Sequence, residues 1–96
     1  MVAVNLEEEE YGLPYGLAKV LCVEGQSLVV HWWGTRRDGR RGRWFPLQKK
    51  GTSRAYTQEI DRSVVLASGI CLTTAKHIPL PTHRLVMEKG GVEMVD

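Results

Sequence analysis

The chain of 96 residues is poor in the groups on which disulfide scaffolds, metal sites and catalytic centres are built. Its two cysteines, Cys22 and Cys71, are too few for a disulfide framework and form no CxxC pair. Each stands among apolar neighbours, as a small buried hydrophobe does; a bridge between neighbouring strands is the alternative. The three histidines, His31, His77 and His83, are dispersed, so no zinc site is expected. No apolar run approaches the roughly 20 residues that span a bilayer. The N-terminus carries Glu7, Glu8, Glu9 and Glu10 where a secretory leader would place basic and then apolar residues, which predicts an intracellular protein. GxSxG, HExxH, GxxxxGK and GxGxxG are all missing. The carboxylates concentrate in the N-terminal run, where water solvates them and leaves their acidity untuned. The expectation is a protein without enzymatic activity, cofactor or metal.

What is present is an ordinary globular composition, 43% hydrophobic and 25% charged, enough for one small domain. A chain of this length buries only about 60–65% of its unfolded surface, so its core is modest. A run of four glutamates repels itself, which predicts an acidic arm or frayed strand over residues 1–12 and a folded domain over residues 13–87. Residues 15–24, YGLAKVLCVE, lie between Pro14 and Gly25 and read as a strand. Residues 27–34, SLVVHWWG, form the strongest strand signal. Alternation there puts Leu28, Val30 and Trp32 on the expected core face and Val29, His31 and Trp33 on the other. Residues 43–48, RWFPLQ, read as an edge strand, because Pro46 has no ladder donor. Residues 63–72 supply one or two more. From residue 73 the prolines Pro79 and Pro81 leave room for at most one short helical turn, around residues 83–87, and residues 88–96 read as a flexible tail. About five short antiparallel strands with turn residues between them predict a mostly β domain, a small barrel or sandwich.

Charge is unevenly spread. Between His31 and Arg54 stand eight basic residues against the single acid Asp38. Five of them, Arg36, Arg37, Arg40, Arg41 and Arg43, fall within eight positions of a glycine-bearing loop, and Lys49 and Lys50 follow. Guanidinium forks match phosphate oxygens, so this loop is a candidate nucleic-acid contact of the kind that supplies affinity without sequence readout. A solvated hairpin loop is the plain alternative. The aromatics Tyr15, Trp33, Trp44 and Phe45 form a second candidate, a partly exposed cluster able to stack bases or enclose a methylated ammonium. Rings covering the core, or a protein interface, are the alternatives.

PYGLAKVL, VVHWWGT and RWFPL, with the charged loop before the last, resemble SH3-like barrel modules of the Tudor, PWWP and chromo-barrel group. They are also similar to integrase C-terminal barrels and to small domains of retroelement polyproteins. The resemblance covers residues 13–72. It implies a small SH3-like β-barrel, nuclear residence, an aromatic cage at Tyr15, Trp33 and Trp44, and a basic loop on nucleic acid. The carboxylate that completes a methyl-lysine cage is not evident beside these rings. The sequence therefore predicts a non-enzymatic module that binds nucleic acid, DNA or RNA. A peptide-binding module of chromatin-reader type and a protein-interaction or oligomerisation domain are the alternatives.

Overall fold

The structure, a computed structural model, describes residues 1–10, 12–36 and 42–89. Its elements are β1 (Val2–Glu10), β2 (Leu13–Glu24), β3 (Ser27–Gly34), β4 (Phe45–Pro46), β5 (Thr57–Asp61), a 3-10 turn (Arg62–Val64), β6 (Val65–Ala67) and the helix α1 (Leu80–Lys89). The domain is mostly β, as the strand patterning predicts. One antiparallel sheet runs in the order β4-β3-β2-β1-β6. β5 lies on the same edge of β3 as β4, opposite residues 27–31, where β4 stands opposite Trp33 and Gly34. These ladders do not by themselves close the sheet into a barrel. β2 and β3 meet at a two-residue turn in which Gly25 takes a φ of +60°, the first central position of a primed hairpin turn. Among the described residues no helix is long and apolar enough to cross a membrane.

The N-terminal segment is not an arm. Val2, Ala3 and Val4 are buried, β1 pairs with β2 on one side and β6 on the other, and the Ile70 amide donates to the Met1 carbonyl at 3.0 Å. Charge repulsion among the glutamates bears only on the far end of this strand, where Glu8 and Glu10 are exposed. The apolar start is held by burial on both faces, so the folded domain begins at Val2 rather than Leu13.

Two apolar clusters sandwich the sheet. On one face the row Ala3–Leu17–Trp33 belongs to a cluster with Leu13, Tyr15 and Trp44, covered by Ile70, Ile78 and Val86 from the chain after β6. On the other face the row Val2–Ala18–Trp32 joins Val4, Leu28 and Val30 to Ile60, Val64 and Val65. The face of Leu28, Val30 and Trp32 is thus a core face, as alternation predicts. The opposite face is not free: Trp33 is half-buried against the first cluster. Alternation reports one face only, and it fails where a second layer covers the sheet.

That second layer includes α1, ten residues long where the prolines suggested a single turn. Pro79 precedes the helix and Pro81 falls in its first turn, where a missing N–H breaks no helical bond. Val86 and His83 turn inward, and the Tyr15 hydroxyl hydrogen-bonds the His83 Nδ1 at 2.9 Å. Residues 88 and 89, expected in a tail, belong to this helix, while residues 90–96 lie outside the described residues. The cysteines also differ from expectation. Cys22 and Cys71 are both exposed and free, because Cys22 lies on the solvent-facing end of β2 and Cys71 on the loop before α1.

Removal of residues 1–5 is expected to abolish the cooperative thermal transition followed by circular dichroism; a true arm would leave it unchanged. Tyr15→Phe, which strips the hydrogen bond to the helix, is expected to lower stability by about 1–2 kcal/mol in urea denaturation.

Candidate binding site

The site begins with an irregularity in β1. Asn5 pairs with Tyr15 and Glu10 with Leu13, so four residues of β1 span the place of Pro14 alone on β2. Proline has no donor for the ladder, and β1 bows away there. The bow brings Leu6 and Glu10 over the neighbouring strands and sets them beside Trp32.

Trp32 is held from three sides. A Cβ on Gly16 would come within 3.1 Å of the Trp32 ring and 3.4 Å of Leu6, so the indole lies directly on the β2 backbone. Its Nε1 donates to the Gln58 side-chain oxygen at 2.9 Å. Its backbone amide donates to the Tyr56 carbonyl and its carbonyl accepts from the Leu47 amide, each at 2.9 Å. Leu47 and Tyr56 are thereby clamped together on the β3 edge. The chain between them makes a hairpin-like excursion, with Gln48 bridged to Ala55 and the Lys49 amide donating to the Arg54 carbonyl. The His31 Nε2–H donates to the Leu47 carbonyl at 2.8 Å and fixes the root of this excursion.

These constraints enclose a cavity of about 290 Å³ walled by Leu6, Glu10, Trp32, Trp33, Tyr56 and Gln58, with Gly16 and Leu47 completing it. Trp32 and Tyr56 line the space with the Glu10 carboxylate, Trp33 borders it from a position whose side chain leaves β3 on the opposite face, and no described lining residue is basic. The Trp33 Nε1 is buried with no hydrogen-bond partner among the described residues, and a buried unpaired donor costs about 1–3 kcal/mol.

The aromatic cluster read from the sequence is corrected in part. Tyr15 and Trp44 are each 1% exposed and are core residues, not cage walls. The Trp44 amide donates to the Lys76 carbonyl at 2.9 Å, which turns its indole under the C-terminal layer and its neighbour Phe45 outward. Trp33 does border a cavity, but its companions are Trp32 and Tyr56. Alternation had sent Trp32 to the core, and Tyr56 is not among the aromatics that the sequence singles out. Glu10 supplies the carboxylate that seemed missing, and only the bow in β1 brings it there.

Phe45 belongs elsewhere. The Arg36 guanidinium lies 5.9 Å from its ring centroid, and Thr35, Arg43 and these two residues line a shallow hollow of about 290 Å³. Arg36, Arg43, Lys49 and Lys50 are all exposed, the lysines on the excursion after β4. Arg37, Arg40 and Arg41 lie outside the described residues. Among the described residues no three His, Cys, Asp or Glu side chains are placed to hold a metal ion. At the far end of β5 the Asp61 carboxylate accepts the Ser63 amide at 2.8 Å, and this bond holds its pKa below the ordinary aspartate range. No family model, curated protein or solved structure matches the chain.

Trp44→Ala is expected to cost about 3–5 kcal/mol in chemical denaturation, and Phe45→Ala less than about 1 kcal/mol. Asp61 is expected to titrate below 3.8 in an NMR pH series. A depressed carboxyl adds stability above its unfolded pKa, so the Asp61 contribution is complete at neutral pH and disappears as pH falls through the depressed value.

Proposed function

We propose that the chain is a non-enzymatic binding module that takes a cationic side chain of a peptide between Trp32 and Tyr56, with Glu10 as its counter-charge. The observation that carries this reading is the composition of the cavity: the aromatic residues Trp32 and Tyr56, one carboxylate and no basic residue among those described. Ring faces attract a cation by their quadrupole, worth up to about 2 kcal/mol once water is displaced. A facing carboxylate adds direct attraction and selects against anions. This is a peptide reader of the chromatin type, with walls other than those the sequence suggested. What supports an SH3-like reading is the strand order, in which β5 on the β3 edge is linked to β6 on the β1 edge by a 3-10 turn of three residues. The likeness to Tudor, PWWP and chromo-barrel modules carries with it an intracellular, nuclear setting.

A second reading has its own observation. Arg36 over Phe45, beside Arg43, offers phosphate forks and a ring to a nucleic-acid strand, while Lys49 and Lys50 line a separate hollow with Tyr56, Thr57 and Gln58. On this reading Arg37, Arg40 and Arg41 extend the contact.

The test is tryptophan fluorescence with short acetylated peptides carrying one lysine or one trimethyl-lysine. Tyr56→Ala and Glu10→Gln are each expected to weaken binding about 5- to 30-fold while the thermal transition stays in place. A salt-sensitive complex with a short DNA duplex, lost in Arg40→Glu/Arg41→Glu and unchanged in Tyr56→Ala, would establish the second reading instead.

A further inference from the structure

The cavity does not end at Trp32. A groove of about 600 Å³ shares Leu6, Glu10, Trp32 and Gln58 with it and continues between β1 and β5. Its floor is apolar, formed by Val4, Ile60 and Val64. Its rim carries Glu8, Glu10, Glu59 and Asp61, and no described residue lining it is basic. Resting on the cavity as a cation site, we infer that the groove docks an extended, polybasic peptide segment, in which one side chain enters the Trp32 cavity and further lysines or arginines lie along the acidic rim.

Three features select this occupant. An apolar floor under an acidic rim matches lysine and arginine, whose methylene stems cover apolar surface while their charged heads reach outward. The carboxylates do not converge: the described residues hold no group of three placed for one metal ion, so the charge is laid out for several separate cations. An extended peptide advances about 3.3 Å per residue and returns side chains to one face every second position, which suits a groove edged by two strands. The same rim repels the phosphates of nucleic acid, so this face and the arginine-bearing face select opposite partners.

Two nine-residue peptides test the inference on the full chain by calorimetry. One carries lysine at every second position, and the other a single lysine among serines. The variant Glu8→Gln/Glu59→Gln alters rim carboxylates that do not line the cavity. The polybasic peptide is expected to bind about tenfold tighter at about 50 mM salt, and to lose most of that advantage at about 200 mM salt and in the double variant. The single-lysine peptide is expected to be unaffected by the variant. Equal affinity for the two peptides, or an equal effect of the variant on both, overturns the groove while leaving the cavity standing. No effect of Tyr56→Ala on either peptide overturns the cavity reading. Sedimentation of the free chain separates the remaining occupant. A dimer that dissociates in Arg40→Glu/Arg41→Glu and in Glu8→Gln/Glu59→Gln would seat a second copy's arginine stretch in the groove and overturn the peptide assignment.

Discussion

Across β1, β2 and β3 the rows Ala3–Leu17–Trp33 and Val2–Ala18–Trp32 lie side by side and face opposite ways, and both are covered. A chain this small has little apolar surface to bury, and spreading it over two layers requires that neither layer be lost. The helix and the loop before it supply one cover, through Ile70, Ile78 and Val86; the β5–β6 corner supplies the other, through Ile60, Val64 and Val65. With the sheet pinned from both sides, Trp32 and Trp33 are each held against one of the two layers rather than as one core ring and one loose one.

The strands β2, β3 and β4 were legible because their cues are local, whereas β5 lies in a stretch that carries no strand signal. Residues 27–34 alternate, Gly25 sits where a primed turn needs a positive φ, and Pro46 falls on a two-residue edge strand. The strand over Val2–Glu10 was hidden because its stabilisation is not local: three small apolar residues gain their burial from β2, β6 and the distant C-terminal layer. The helix was hidden for a related reason. Its prolines lie where helices tolerate them, and its inward residues, Val86 and His83, are recognisable only against Tyr15 and the cluster they meet.

The candidate site was legible only in part. The sequence singles out a set of aromatic residues, yet which rings remain at the surface depends on packing. Trp44 and Phe45 show this most simply, since one backbone bond to Lys76 sends the first inward and leaves the second out. Glu10 illustrates the converse. Its place in a glutamate run read as solvation, and its place beside Trp32 and Tyr56 comes from the extra residues β1 inserts opposite Pro14. A carboxylate beside Trp32 and Tyr56, and guanidines around Phe45, give one small body two surfaces of opposite charge.

The central claim is that the Trp32 cavity is the binding site and that its ligand is a cation. Its most direct test is an amide and indole NMR titration with a single-lysine or trimethyl-lysine peptide. The account predicts shifts centred on the Trp32 and Trp33 indole N–H groups and the backbone of Glu10, Tyr56 and Gln58. Shifts centred instead on Arg36, Arg43 and Phe45, or spread evenly over the surface, would contradict it.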